Sequence, residues 1–264
     1  MDTALIVACI SGVVALTSVG LSGWTQLQVT KREGQGKERA NIAELDQRYL
    51  TPLRYYARAL SHRLEEIQEK LRVPEQEREM REWFKRIKDQ VTRDSKDPDY
   101  RAWCYYVGIF SLSTLYYTCS YFYYAREIRF RRPFSESRPS YGEKLDTCLM
   151  RVTDSFSGID GIWDVSQEVI GERFASNGSA MTYAQMCGEH EADDLFRRAP
   201  FIRPADFYWI NLGVEQSLRI KDSLDKLIVF LDHNDPQTYD RHRQRPESSS
   251  DLGQQGPPAS VYGS

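Results

Sequence analysis

The chain is poor in the residues from which chemical sites are usually built. Its 264 residues include four histidines and five cysteines. The cysteines (Cys9, Cys104, Cys119, Cys148 and Cys187) are odd in number, widely scattered and contain no CxxC pair. That spacing indicates neither a disulfide framework nor a structural zinc site. Free thiols suit a reducing compartment. A P-loop, a dinucleotide glycine fingerprint, a GxSxG elbow and an HExxH pair are all missing, so no cofactor and no metal are expected. The formal net charge of −3 supplies no basic footprint, which argues against nucleic acid as a partner.

Charge is also missing between Asp2 and Lys31, and residues 4–24 form an unbroken apolar run. A helix rises about 1.5 Å per residue, so roughly 20 apolar residues cross the hydrocarbon core of a bilayer. Leu5, Ile6, Val7, Ile10, Val13, Val14, Leu16, Val19 and Leu21 favour insertion, and Trp24 falls where an interfacial aromatic is favoured. A cleaved secretory signal is the competing reading; it would want a positive N-terminal region and a shorter apolar core. Lys31, Arg32, Lys37 and Arg39 all follow the run and none precedes it. The expectation is a single-pass transmembrane anchor over residues 1–30, N-terminus outside and the rest cytoplasmic. Its lipid partner is the bilayer itself. The small pairs Ala8/Gly12 and Ser18/Ser22 would permit close approach of two such helices and hence a homodimer, although small residues are common in such spans.

Residues 37–234 read as one helical domain. Ile42, Leu45, Tyr49, Leu53, Tyr56, Leu60, Leu64, Ile67 and Leu71 recur every three or four positions, one buried helical face. Pro52 interrupts the stripe without shifting its phase. It either opens a second helix with Thr51 as N-cap or marks a kink in one helix. A helix beginning near Pro74 carries acidic residues early, basic residues late and an apolar edge of Met80, Trp83, Phe84, Ile87 and Val91.

Residues 102–125 carry no charge yet hold seven tyrosines. Tyrosine prefers an interface or a core where its hydroxyl finds a partner. A central helix surrounded by others is expected, with a second membrane span and a strand as alternatives. Arg126, Arg129, Arg131 and Arg132 follow, with Pro133 as the stop. They read as capping charge and solvated surface, or as a basic patch in contact with the membrane surface.

Leu145, Leu149, Val152 and Phe156 predict a further helix. Ile162, Val165, Val169 and Phe174 predict another, ending near Asn177-Gly178, and a short one follows Thr182. A last long helix over residues 205–232 is expected to turn Val214, Leu218, Leu227, Ile228 and Leu231 inward. Residues 235–264 shift to Pro, Gln, Ser, Gly and charge, a tail too polar to order itself.

Two places carry candidate chemistry. In Gln167-Glu168-Val169-Ile170-Gly171-Glu172, Glu168 and Glu172 share a helix face and form a carboxylate pair suited to acid–base work or metal binding. The matching ligands of a helical metal cage are missing, and a salt-bridged face is the plainer reading. Gly171, costly inside a helix, points to a close helix crossing. In Cys187-Gly188-Glu189-His190-Glu191, His190 and Cys187 are three apart, an incomplete ligand or thiolate–imidazolium set.

Tyr49-Leu50-Thr51-Pro52-Leu53, Ser113-Thr114-Leu115-Tyr116, Arg126-Glu127-Ile128-Arg129 and Ile170-Gly171-Glu172 together resemble a group of helical proteins of unassigned activity that carry an N-terminal membrane segment. The resemblance spans about residues 45–232 and implies an integral helical domain with a site around Gly171 and Glu172. The expected fold is all-α: a transmembrane helix, a cytoplasmic helical bundle and a disordered tail. The expected function is a membrane-tethered module that docks a protein partner or senses the inner leaflet. The alternative is a membrane-associated enzyme using Glu168, Glu172 and His190.

Overall fold

A computed structural model describes residues 30, 31, 33, 34, 36–91, 104–106, 108–135, 137–158, 161–187 and 199–234. The apolar run at residues 4–24, His190 and the tail from residue 235 lie outside the described residues. Among the described residues the architecture is all-α, with one two-residue hairpin and no helix long and apolar enough to cross a membrane.

Helical residues 36–45 run into a π-helical turn, Asp46–Leu50, and then into α1, Thr51–Leu71. The Thr51 amide donates to the Asp46 carbonyl, five residues back. This wider turn brings Pro52, which has no N–H to give, into the first positions of α1. Thr51 is itself helical and its side chain caps nothing, so the two-helix alternative gives way to one helix with a π bulge. The apolar stripe holds across the bulge: Leu53, Leu60, Leu64 and Ile67 are wholly buried.

Helix α2, Pro74–Val91, folds back and buries Met80 and Phe84. Helix α3, Ile109–Arg131, is the centre of the bundle and buries residues on every side. It starts after Gly108, so Tyr105 and Tyr106 precede it. Several of its polar side chains find partners, although the Tyr121 hydroxyl is buried without one among the described residues. The Thr114 hydroxyl bonds the Phe110 carbonyl at 2.7 Å, and Thr118 meets the Tyr208 hydroxyl at 2.8 Å. The helix continues past the charge-free stretch to Arg131 and stops where Arg132 turns left-handed at φ 45°.

Helix α4, Pro139–Phe156, inserts Leu145, Leu149, Val152 and Phe156 as the spacing predicts. Helix α5, Asp164–Arg173, corrects the reading of its apolar face. Ile162 and Phe174 are buried as the spacing predicts, but Val165 and Val169 are exposed and Ile170 is buried in their place. Asn177-Gly178 is a hairpin turn between β1, Ala175–Ser176, and β2, Ser179–Ala180, rather than a helix end. Both residues have positive φ, 51° and 80°, as a tight turn of this kind requires. Thr182 then opens α6, Tyr183–Met186, through a capping box with Gln185.

The last predicted helix is in fact three pieces. Helix α7, Ala199–Asp206, contains Pro204 and widens into a second π-turn, Phe207–Asn211. Leu212 and Gly213 are extended, and α8, Val214–His233, restarts in a new phase. Within α8, Leu218 lies about two and a half turns before Leu227, so it faces solvent, whereas Ile220, Leu224, Leu227 and Leu231 face the core. Arg81 of α2 secures the break by donating to the carbonyls of Trp209 at 2.6 Å and Leu212 at 3.3 Å.

Both α3 and α8 run antiparallel to α1. Arg63 reaches Ser113 at 3.1 Å, and Tyr56 meets Tyr116. Ser61 reaches Asp225, and Arg54 donates to the Leu231 carbonyl at 2.9 Å. The start of α1 and the ends of α3 and α8 therefore share one end of the bundle. Arg138, which precedes α4, reaches the Asn234 carbonyl, so α4 starts there too.

Candidate functional site

Helix α5 lies unusually close to α3. A Cβ built on Gly171 would sit 2.7 Å from the Phe122 carbonyl oxygen, closer than any side chain tolerates. This is the crossing that a helical glycine at residue 171 suggests, and it sets the geometry of everything charged along the seam. With the backbones in contact, the carboxylates flanking Gly171 lie beside the arginines that follow the tyrosine-rich segment.

Glu172 pairs with Arg126 at 3.6 Å. Arg129 lies among three carboxylates: Asp164 at 3.3 Å, Asp146 of α4 at 3.7 Å and Glu168 at 4.0 Å. Glu127, almost fully buried, takes Arg126 at 3.1 Å on one side and Arg131 on the other. The acidic and basic candidates, separate in the sequence, thus interlock into one ion-pair lattice. The Arg129 guanidinium occupies the place that a bound cation would take among Asp146, Asp164 and Glu168. Among the described residues no group of His, Cys, Asp and Glu side chains is arranged to hold a metal.

The side chains of Glu168 and Glu172 are 55% and 67% exposed. Both face solvent and each is matched to an arginine across the helix seam. Gln167, by contrast, is buried: its Nε2 donates to the Ile162 carbonyl at 2.7 Å and to the Thr153 carbonyl at 3.0 Å. It clamps α5 to the end of α4. The sequence groups Gln167 with Glu168 and Glu172, and the fold turns it the opposite way.

Arg132 is exposed and lines a cleft of about 280 Å³ with Ile128, Arg129, Phe134, Glu143 and Asp146. The sequence offers no signal for this cleft, because it forms only where the end of α3 meets the start of α4.

The tyrosines form a continuous aromatic seam. Tyr56 and Tyr116 share a hydroxyl hydrogen bond of 2.9 Å, and Tyr124 stacks on Tyr56. Tyr116 also meets the rings of Phe174 and Tyr183, and the Tyr183 hydroxyl donates to the Cys104 carbonyl at 3.1 Å. Burial pushes the phenols of Tyr116, Tyr121, Tyr183 and Tyr208 far up, and that of Tyr123 to about 12. All stay neutral near pH 7 and serve packing rather than proton abstraction. Cys187 is buried, and its expected companion His190 lies outside the described residues.

Comparison with protein-family models, with curated proteins and with solved structures finds no match to this chain.

Proposed function

We propose that this protein is a membrane-tethered interaction module, held at the cytoplasmic face of a bilayer by residues 4–24. One observation of the site carries the choice over an enzyme. The carboxylates Glu168 and Glu172, the best catalytic candidates in the sequence, are the exposed acidic half of the lattice that joins α5 to α3. They have structural partners and the geometry of a helix seam. The tether rests on the apolar run, and the orientation rests on the positive charges that follow it. Exposed Phe130, Trp163 and Val165 give such a module apolar surface with which to bind.

The test is fractionation of the full chain after expression with a C-terminal reporter. The expected result is retention in membranes through alkaline carbonate extraction, with the reporter protected from external protease in intact cells. Release into the carbonate supernatant would overturn the tether, and a reporter digested in intact cells would overturn the orientation.

A further inference from the structure

The bundle has a polarity that its chain direction makes useful. Helical residues 36–45 enter at the end of the bundle where α1 begins, and the apolar run lies upstream of them. The C-terminus of α3 is at that same end, antiparallel to α1, with Arg131 and Tyr123 within electrostatic range of Tyr49. The ion pair between Arg129 and Asp164 brings the N-terminus of α5 beside it. Among the large apolar side chains exposed at this end, three lie where the end of α3 meets the start of α5: Phe130 (77%), Trp163 (56%) and Val165 (72%). Arg126 lies over the Phe130 ring at 5.4 Å, and Arg131 and Arg132 follow it in the chain, both exposed.

Exposed aromatics beside arginines are the composition of an interfacial contact, in which rings sit at headgroup depth and guanidiniums meet phosphate. We propose, building on the tethered reading above, that this end of the bundle rests on an anionic lipid leaflet. Phe130, Trp163 and Val165 enter the interface, and Arg131 and Arg132 meet lipid phosphates. Arg131 keeps Glu127 as a second partner, and Glu143 and Asp146 line the adjoining cleft. The contact is therefore led by the apolar side chains, with the arginines adding local attraction. Helical structure is already present at residues 30, 31, 33 and 34, so only residues 25–29 join the apolar run to it. They reach roughly 17 Å when fully extended, enough for the mostly exposed helical residues 36–45 and the end of the bundle beyond them to lie along their own membrane.

The experiment uses the full chain reconstituted into vesicles of phosphatidylcholine and phosphatidylglycerol in equal parts. Nitroxide labels are placed at V165C, at F130C and, as a control at the far end of α1, at V73C; the unsubstituted chain gives the background from its own thiols. Collision with oxygen, which partitions into lipid, is compared with collision with a water-soluble nickel chelate. The expected result is several-fold lower nickel accessibility at positions 165 and 130 than at 73, with higher oxygen accessibility. Nickel accessibility equal at all three positions overturns the contact. Labels shielded from both reagents also overturn it, and point to a second copy or a protein partner on this face. Vesicle flotation reads the tether separately. A chain that floats with its labels open to water loses only this contact, whereas a chain that fails to float loses the tethered reading itself.

Discussion

Gly171 touches the backbone of Phe122, and the ion pairs between α3 and α5 depend on that contact. Replacing a helical glycine with alanine ordinarily stabilises a helix by about 1 kcal/mol. Here the added methyl meets a backbone carbonyl, and overpacking of this kind costs about 1–3 kcal/mol. Gly171→Ala is expected to lower the melting temperature, by roughly 2–4 °C per kcal/mol of net loss for a domain of this size. Thermal unfolding followed by circular dichroism checks this, and an unchanged or higher midpoint would sink the close-crossing account.

Glu168 and Glu172 make exposed ion pairs, each worth about 0–1 kcal/mol. The double substitution Glu168→Gln/Glu172→Gln is expected to leave the midpoint nearly unchanged, and to matter least in high salt. Glu127→Ala, which strips a buried carboxylate from two arginines, is expected to destabilise more than the double change. The reverse order in the same melting assay would mean that the outer carboxylates have a role the lattice does not explain.

Gln167 faces two backbone carbonyls with its amide nitrogen. Gln167→Glu replaces that donor with a buried carboxylate pointed at acceptors, which raises its folded-state pKa. The protonated form is the one the fold accepts. The variant is thus expected to be closest to wild type below the unfolded carboxyl value of about 4.3, and to lose stability as pH rises above it. Denaturant midpoints of variant and wild type across that range measure the effect; a gap independent of pH counts against the clamp.

The buried phenols predict an alkaline limit. Tyr116, Tyr121, Tyr183 and Tyr208 are held neutral in the fold by burial, whereas in the unfolded chain they ionise near pH 10. Each folded-state value is raised, so the stability these groups carry is complete below about pH 10 and is lost as pH rises beyond it. The share of tyrosinate absorbance that belongs to these four of the chain's 16 tyrosines is expected to appear together with the loss of helical circular dichroism. Smooth ionisation of these four within an intact helical protein would contradict their burial.

Local rules were enough for much of the fold. The stripe from Tyr49 to Leu71 and the run Leu145, Leu149, Val152 and Phe156 are legible because a helix repeats every 3.6 residues, and one continuous face must find a core. Gly171 also stands out in the sequence, since glycine in a helix needs a reason. Val165 and Val169 mislead for the same underlying cause. In a helix of ten residues a few apolar positions match more than one face, and contact with α3 chose the face carrying Ile170 and Gly171. Leu218 was misplaced because it does not share a face with Leu227: the two are nine residues apart in one unbroken helix, about two and a half turns, and so lie on opposite sides.

Charge shows the division most clearly. The sequence alone determined that Glu168 and Glu172 share a helix face and that four arginines follow the tyrosine-rich stretch. It contained no sign that the two sets would meet, because ion pairing between segments some 40 residues apart depends on how helices cross and not on spacing along either one. The tertiary structure decided that Arg129 fills the space between Asp146, Asp164 and Glu168, and that Phe130, Trp163 and Val165 come to one end of the bundle. A helical period specifies which residues share a face, and only packing specifies what that face meets.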